Sequence, residues 1–353
     1  MAEAAKKSRP EGGYKIAVLD GDGIGPEVMQ ATRQVLTATG IPFEFIHVPA
    51  GAAAIALHGK AMPDETLATI RECHAAIKGP TGTPIGGGHA SANVALRKAL
   101  NLYANLRPVL SLPGVPSRYE GVDLVIVREN TEDLYAGIEH VVVPGVVVGM
   151  KVISETASTR IAEYAFEYAT KHKRRRVSAV HKANIMKLAD GLFLNCCRKV
   201  AVKYPQITYD EVIVDALCMQ LVKDPTRFDV LVLENLYGDI VSDLCAGLVG
   251  GLGVVPGANI GQGQAVFEAV HGSAPDIAGK NLANPTALLL SAAMMLDWLD
   301  EPVAAKNVRR AIDEVYSKTR IRTGDVGGTA TTDVFTRAVC DQVTRFVQEA
   351  QPL

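Results

Sequence analysis

KIAVLDGDGIGP, residues 15–26, begins with a short apolar run and ends in a glycine-rich turn that closes on a proline. The run 15–19 predicts a buried strand, and Pro26 favours a helix over 26 to about 39. Similar apolar runs recur along the chain, with helical stretches between most of them, at 43–47, 75–78, 124–127, 177–181, 211–214 and 230–233. Strands that alternate with helices predict an α/β fold with mostly parallel pairing in its core.

The glycines of this turn do not match a Rossmann dinucleotide-binding site. Gly21, Gly23 and Gly25 give the spacing G-x-G-x-G-P, whereas that site requires G-x-G-x-x-G. No acidic residue follows at the end of a clear second strand at the usual distance. The fold is therefore predicted not to be Rossmann, and a tight turn close to a ligand is the preferred interpretation.

The composition excludes several classes of protein. The chain has 353 residues, of which 48% are apolar, so it can bury a large core in one or two domains. Its 36 Lys and Arg residues nearly balance its 38 Asp and Glu residues, which gives no overall attraction to nucleic acid or to an anionic membrane. No apolar run reaches membrane-spanning length, the six cysteines are scattered, and residues 1–13 lack the apolar core of a secretory signal. We therefore expect a cytoplasmic protein with reduced thiols and with neither a nucleic-acid nor a membrane partner.

An acidic pair lies in the stretch ENLYGDIVSDL, residues 234–244, which follows the predicted strand 230–233. Asp239 and Asp243 are four residues apart and therefore share one face of a helix. Two like charges side by side repel unless a cation lies between them, and a hard divalent metal ion with oxygen ligands meets that need. The alternative is an N-cap at Asp239 with Asp243 solvated, but the apolar residues that follow favour the metal. Asp215, at the end of the strand 211–214, is the candidate third ligand.

Three arginines adjoin predicted strands or apolar helices. Arg97 lies in an apolar helical stretch, Arg107 in an extended segment before a proline, and Arg128 at the end of the strand 124–127. An arginine by itself is more often part of a surface salt bridge than a ligand clamp. Three of them in a chain without net positive charge favour a polyanionic substrate, because guanidinium groups bind carboxylates through two parallel hydrogen bonds.

Two loops rich in small residues are further candidates for ligand binding. Residues 86–90, GGGHA, lead into a helix whose predicted N-cap is Ser91, with Asn93 on the same face as the arginine four residues later. Residues 268–280, EAVHGSAPDIAGK, place a histidine among turn-forming residues, which is typical of a functional loop. These residue types alone do not specify a ligand.

Six stretches in this order resemble the β-decarboxylating dehydrogenases, a family of isocitrate, 3-isopropylmalate, homoisocitrate and tartrate dehydrogenases. They are GDGIGPEV, LRPV, VRENTEDLYAGIE, VHKANIMK, ENLYGDIVSDL and VHGSAPDIAGKNLANPTA, at 21–28, 106–109, 127–139, 180–187, 234–244 and 270–287. The similarity covers residues 15 to about 347, and NAD-dependent isocitrate dehydrogenases are the nearest branch.

The resemblance implies a two-domain fold like that of isopropylmalate dehydrogenase, with a mixed central sheet. A large domain would comprise 1–102 and 250–353, and a small domain 103–249. The β-branched stretch 141–148, broken by Pro144 and Gly145, predicts a hairpin, which in this family clasps a partner subunit. The predicted helix 242–252 is rich in small and apolar residues that suit close packing against another helix. We therefore expect a homodimer or a higher homo-oligomer with sites shared across the interface.

The resemblance also implies a role for individual residues. The substrate would be bound by Ser91, Asn93, Arg97, Arg107, Arg128 and Asn184. Catalysis would use Tyr135 as proton donor and Lys182 from the other subunit. Mg²⁺ or Mn²⁺ would be held by Asp239, Asp243 and the other subunit's Asp215. NAD would be bound by Thr83, Glu268, His271, Gly272, Ala274, Asp276 and Asn284.

The implied reaction is the oxidative decarboxylation of isocitrate to 2-oxoglutarate and CO₂ with reduction of NAD⁺, a step of the tricarboxylic acid cycle. Ser91 and Asn93 offer hydrogen-bond donors where isopropylmalate enzymes have an apolar side chain. Asp276 and Ile277 stand where NADP-dependent members carry Lys and Tyr. The alternatives are a 3-isopropylmalate or homoisocitrate dehydrogenase, or a non-catalytic regulatory subunit of a heteromeric isocitrate dehydrogenase.

Overall fold

A ten-stranded mixed sheet forms the centre of the protein. The computed structural model describes residues 10–84 and 91–349, so the predicted loop at 86–90 lies outside the described residues. Within them the strands are β1 (Tyr14–Leu19), β2 (Phe43–His47), β3 (Ala75–Lys78), β4 (Ala104–Leu110), β5 (Asp123–Glu129), β6 (Glu139–Val143), β7 (Val146–Gly149), β8 (Arg176–His181), β9 (Thr208–Ile213), β10 (Val230–Leu233), β11 (Pro256–Ile260) and β12 (Ala265–Ala269). The α-helices are α1 (Gly25–Ala38), α2 (Ala52–His58), α3 (Asp64–Glu72), α4 (Ala92–Ala99), α5 (Glu155–Lys171), α6 (Ala189–Ala201), α7 (Val214–Lys223), α8 (Asn235–Leu248), α9 (Thr286–Trp298), α10 (Pro302–Lys318) and α11 (Thr332–Glu349).

The sheet has the order β2-β1-β3-β12-β11-β4-β5-β10-β8-β9. The first four strands are parallel to one another, and so are the last four. Antiparallel pairs join these two blocks through β11 and β4. The prediction of an α/β fold with a mixed central sheet is therefore confirmed. Because β5, β10, β8 and β9 run in one direction, their carboxyl ends meet at one edge, where ligands bind in open α/β sheets.

Both faces of the sheet are buried. Along β1, Ile16 and Val18 belong to one apolar cluster, whereas Ala17 and Leu19 belong to a second. Successive strand residues point to opposite faces, so helices must cover each side. Helix α9 packs on β3, β11 and β12, and α5 packs on β5, β8 and β10. This burial explains why the predicted strands read as nearly continuous apolar runs.

Several predicted boundaries move once the chain is folded. The helix predicted over 242–252 ends at Leu248, because Gly250 and Gly251 have φ of 121° and 107°, outside the helical region. The strand predicted to include Val214 ends one residue earlier, which places Asp215 in the first turn of α7.

The sequence analysis missed β11 and β12. Each carries a fully or nearly buried polar residue, Asn259 in β11 and Glu268 in β12. The two side chains satisfy each other, since the Asn259 amide donates to the Glu268 carboxylate at 2.7 Å. A polar residue inside a short apolar run hides such a strand from sequence reasoning.

The predicted hairpin is confirmed as β6 and β7, joined at Pro144 and Gly145. Its six valines are exposed, and their exposed fractions run from 42% to 72%. The role of this hairpin as a clasp stays a prediction, as does the division into a large domain (1–102 with 250–353) and a small domain (103–249). In the described part of the chain, no helix is both long enough and apolar enough to cross a bilayer. All six cysteines are free thiols.

Candidate active site

The two aspartates of α8 face two buried arginines from neighbouring strands. Arg128, at the end of β5, is 1% exposed and forms a short ion pair with Asp239. Arg107, in β4, lies 3.7 Å from the same carboxylate and 3.3 Å from Asp243. The hydroxyl of Ser242 accepts a further hydrogen bond from Arg107. The predicted pairing of Asp239 and Asp243 on one helix face is thus present, and cationic side chains lie against it.

Burial and the repulsion between neighbouring arginines shift the pKa values of the side chains in this cluster. Burial, together with the nearby Arg97 and Arg107, lowers the pKa of Arg128 to about 10. Burial opposes ionisation of Asp239, but Arg128 and a hydrogen bond from Tyr135 hold the pKa of Asp239 below its usual value. Asp239 is therefore a carboxylate at neutral pH.

Tyr135 is the third component of this cluster. Its hydroxyl donates to the Asp239 Oδ2 atom at 2.5 Å, and the Arg128 guanidinium carbon lies 5.1 Å from the centre of its ring. Burial and the hydrogen bond to Asp239 raise the pKa of Tyr135. The phenol therefore keeps its proton at neutral pH, as a proton donor must.

Asn235 holds Arg128 in place, a role that the sequence analysis missed. Its side-chain oxygen accepts from the Arg128 Nε and Nη2 atoms at 3.0 and 2.7 Å. Gly238 leaves room for this arrangement, because a Cβ there would lie 2.5 Å from the Arg128 Cγ. The remaining Nη1 of Arg128 is thereby directed at Asp239.

A second group of predicted residues forms no hydrogen bond or ion pair with these side chains in the described part of the chain. The Lys182 ammonium, after β8, forms a short ion pair with Asp215 in α7. That contact lowers the pKa of Asp215. Asn184, two residues on, is exposed. Across 10–84 and 91–349, no three His, Cys, Asp or Glu side chains converge as metal ligands, so one chain does not unite Asp215 with the α8 aspartates.

We name the two sets by their cations. The arginine group consists of Arg107, Arg128, Tyr135, Asp239 and Asp243. The lysine group consists of Lys182 and Asp215. That Lys182 and Asp215 serve a partner's site stays a prediction.

Helix α4 carries the other predicted substrate-binding residues. The Ser91 hydroxyl accepts from the Val94 amide at 3.5 Å, so Ser91 is the predicted N-cap. The Asn93 Oδ1 accepts from the Thr81 hydroxyl at 3.1 Å, which leaves the amide nitrogen of Asn93 as a donor. Arg97 is 7% exposed and is close enough to Arg128 to lower its pKa.

Two of the residues predicted to bind NAD have side-chain partners within the fold. The Glu268 carboxylate lies in β12 and accepts from Lys78 at 2.8 Å and from Arg97 at 3.2 Å, which hold its pKa well below the usual range. Asn284 is 6% exposed, and its amide nitrogen donates to Tyr316 and Asp325. The contact of Glu268 and Asn284 with NAD stays a prediction.

The remaining residues of this loop are better placed for a cofactor. Gly272 and Asp276 are exposed, as is Thr83 on a different segment. His271 pairs its Nδ1 with a backbone carbonyl at 3.0 Å, while its Nε2 is buried without a partner in the described residues. Burial lowers the pKa of His271, so a neutral ring would offer this nitrogen as a free acceptor. Ala274 has φ of 37°, which marks a tight turn.

The glycine-rich turn after β1 supports this loop. The Ile24 amide donates to the Ser273 carbonyl at 2.9 Å, and the Glu27 carboxylate accepts from the Ala283 amide at 3.0 Å. At Gly23, where φ is 59°, a Cβ would lie 1.9 Å from the Ser273 oxygen, so only glycine fits. The turn therefore holds the candidate cofactor loop, and its closeness to a ligand stays a prediction.

Comparison with known proteins places this geometry in a family. Residues 15–343 match the model of the isocitrate/isopropylmalate dehydrogenase family. A mitochondrial isocitrate dehydrogenase (NAD) catalytic subunit 5 from Arabidopsis thaliana is 56% identical over 92% of this chain and 87% of its own length. A chloroplastic 3-isopropylmalate dehydrogenase from Solanum tuberosum is 55% identical over 84% of each chain.

A solved structure supports the same assignment. The isocitrate dehydrogenase of Methylococcus capsulatus superimposes with a TM-score of 0.91 at 49% identity, over 94% of this chain and 99% of its own. The shared architecture is a large mixed sheet rather than a Rossmann arrangement. From the sequence match and the shared fold together, the chain belongs to the isocitrate/isopropylmalate dehydrogenase family.

Proposed function

We propose that this protein oxidises and decarboxylates isocitrate to 2-oxoglutarate and CO₂ while reducing NAD⁺. The observation that carries the proposal is the set of three buried guanidinium groups, Arg97, Arg107 and Arg128, close enough to repel one another. Within the fold, three carboxylates face these three guanidinium groups and Lys78, so the cluster carries an excess of buried positive charge. A substrate with three carboxylates would compensate that excess. The Arabidopsis and Methylococcus relatives are named isocitrate dehydrogenases, which supports the choice.

The α8 aspartates suit a hard divalent cation. Asp239 is ionised, Asp243 is one turn away and half exposed, and both offer the oxygen ligands that Mg²⁺ and Mn²⁺ prefer. Two carboxylates are too few for a protein-held site, so a partner's Asp215 is the proposed third ligand. When bound, the metal supplies Lewis acidity toward the substrate hydroxyl and toward the charge that develops on loss of CO₂.

The side chains of this protein would bind the substrate and transfer the protons. The three arginines bind and orient the substrate carboxylates. Lys182, paired with Asp215, would take part in removing the proton of the C2 hydroxyl. Tyr135 keeps its proton at neutral pH and would deliver it to the carbon that loses CO₂. Tyr135 is itself aligned by its hydrogen bond to Asp239.

We further propose a homodimer, or a higher homo-oligomer built from such dimers. In the described part of one chain, Asp215 pairs with Lys182 and does not join Asp239 and Asp243 as a metal ligand, so a complete metal site would need a second copy. The exposed valines of β6 and β7 give a surface that a partner would cover. The cytoplasmic location stays a prediction, since the Arabidopsis relative is mitochondrial and the Solanum relative chloroplastic.

The substrate assignment can be tested on the unmodified protein. Isocitrate, 3-isopropylmalate, homoisocitrate, tartrate and malate would each be assayed with NAD⁺ and Mg²⁺ or Mn²⁺. We expect the highest kcat/KM for isocitrate. Isopropylmalate is the second candidate, because the Solanum enzyme shares 55% identity with this chain. A higher kcat/KM for isopropylmalate or homoisocitrate would contradict the substrate assignment while leaving the reaction class intact. No turnover of any substrate would instead indicate a regulatory subunit.

Asn93→Leu should lower kcat/KM for isocitrate by about 100-fold or more, yet change malate oxidation little. The Asn93 nitrogen is the donor available for the third carboxylate, which malate lacks. Ser91→Ala should cost less, because the Ser91 oxygen is engaged in capping α4 and only its hydroxyl hydrogen remains to be donated. Steady-state kinetics on both substrates would measure the difference. Equal losses on isocitrate and malate would show that Asn93 does not recognise the third carboxylate.

Asp276→Lys combined with Ile277→Tyr should move the cofactor preference from NAD⁺ toward NADP⁺. The exposed Asp276 carboxylate can accept from ribose hydroxyls and would repel a 2′-phosphate. Asp276→Asn is the matched control, since it removes only the charge and should weaken the preference without reversing it. The measurement is kcat/KM for both cofactors. Comparable values in the unmodified protein would refute the proposed role of Asp276.

A further inference from the structure

A buried lysine outside the arginine and lysine groups binds two buried carboxylates. Lys151 follows β7 at the base of the hairpin, and its side chain is 9% exposed. Its ammonium lies 2.5 Å from the Asp190 Oδ1 and forms a short ion pair with Glu234. The Asp190 and Glu234 side chains are 0% and 1% exposed. The Tyr237 ring packs 4.4 Å from the same ammonium. We call Lys151, Asp190 and Glu234 the Lys151 triad.

One carboxylate of the triad holds the lysine group. The second oxygen of Asp190 accepts from the backbone amide of Lys182 at 2.6 Å. The Lys151 ammonium also lies 3.8 Å from the sulfur of Met186, in the turn that follows Lys182. Asp190 and Lys151 therefore hold the backbone around Lys182 in place.

The other carboxylate adjoins the arginine group. Glu234 is the N-cap residue of α8, the helix that carries Asp239 and Asp243. The next residue, Asn235, holds Arg128 through two hydrogen bonds. A shift of the Glu234 backbone would thus move the start of α8 and, with it, Arg128.

The charges of the triad make Lys151 hard to replace. One ammonium faces two carboxylates that are almost completely buried. Burial raises the pKa of Glu234 to about 8, although Lys151 opposes that shift, so Glu234 can take up a proton near neutral pH and Asp190 is the carboxylate that depends most on Lys151. Removing one member of a buried ion pair leaves the other charges uncompensated, which destabilises the arrangement more than a surface substitution does.

We propose that Lys151 is a positioning residue that sets the spacing between the lysine group and the arginine group of each chain. The inference rests on the proposed function, in which a chain's arginine group serves its own site and its Lys182 serves the partner's. The chain's own site and the partner's site then both depend on the distance between the lysine group and the arginine group within the chain. A displacement of a catalytic group by about 1 Å is enough to slow a reaction about 100-fold.

The test compares Lys151→Met with Lys203→Met, a matched loss of an exposed lysine whose ion-pair partner is Glu163. We expect Lys151→Met to lower kcat for isocitrate by about 100-fold, with a smaller rise in KM, because Arg97 and Arg107 lie on elements that the triad does not touch. Amide hydrogen exchange over residues 182–190 should become faster. Lys203→Met should leave both measurements unchanged.

A double variant distinguishes an effect of Lys151 on the position of the catalytic groups from an effect on the stability of the fold. Lys151→Met with Asp190→Asn removes the uncompensated carboxylate, keeps an amide oxygen that can accept from Lys182, and leaves Glu234 free to take up a proton. We expect it to recover the melting temperature lost in Lys151→Met but not the lost kcat. Recovery of both, or wild-type kcat in a folded Lys151→Met protein, would overturn the proposal. Hydrogen exchange needs no substrate, so unchanged exchange at 182–190 would overturn the proposal even if the wild type did not turn over isocitrate.

Discussion

Asp239→Asn should lower kcat for isocitrate by about 1,000-fold. The carboxylate of Asp239 lies against Arg128, Arg107 and Tyr135 at once, so its charge orders the whole arginine group. It is also a proposed ligand of the divalent metal, and an amide is a weaker partner for both arginine and metal. The measurement is kcat and KM at saturating Mn²⁺, and we expect KM to rise as well because Arg128 loses its counter-charge.

A test of metal dependence and a control variant accompany the Asp239→Asn measurement. EDTA should abolish turnover by the wild type, and added Mg²⁺ or Mn²⁺ should restore it. Asp243→Asn should raise the metal concentration needed for half-maximal activity. Asp297→Asn is the matched control, since Asp297 forms a surface ion pair with Arg309, and it should behave as the wild type does. Full activity in exhaustively chelated buffer would show that the α8 aspartates do not work through a metal.

Mixing two inactive variants should restore about a quarter of wild-type activity, if the sites are shared between subunits of a dimer. Lys182→Met and Tyr135→Phe should each lose about 1,000-fold in kcat, because each removes a proposed proton-transfer group. Half of the randomly assorted dimers would contain one subunit of each variant, and each of these hybrid dimers would have one intact site. Activity after dissociation and reassociation of the mixture measures the recovery.

The control for this experiment is a double variant. Lys182→Met mixed with the Lys182→Met/Tyr135→Phe protein gives no hybrid with an intact site, so activity should stay at the background level. Subunit exchange would be verified by mass spectrometry of the mixed oligomers. A mixture that exchanges subunits but recovers no activity would count against sites built across the interface, and would favour a site completed within one chain.

A large part of the fold was predicted from the sequence, because apolar spacing and helical periodicity depend only on residues that are close together in the chain. The first strand, its glycine turn and α1 were predicted to within one residue, since apolar spacing and Pro26 act within a few positions. Asp239 and Asp243 were placed on one helix face because the helical repeat alone brings residues four apart together. The strands β11 and β12 were missed because their buried polar residues are compatible with a core only when they meet each other.

By itself, the sequence determined the α/β class, the hairpin and the identity of the charged side chains at the strand ends. The tertiary structure alone decided how those charges pair. Asn235 meets Arg128 across 107 residues, and Lys151 meets Glu234 across 83. It also decided that Glu268 faces Lys78 and Arg97 rather than solvent, and that Lys182 pairs with Asp215. Such contacts have no local signature, because a buried charge is stabilised by whichever partner the folded chain brings within hydrogen-bonding distance, whatever their separation in sequence.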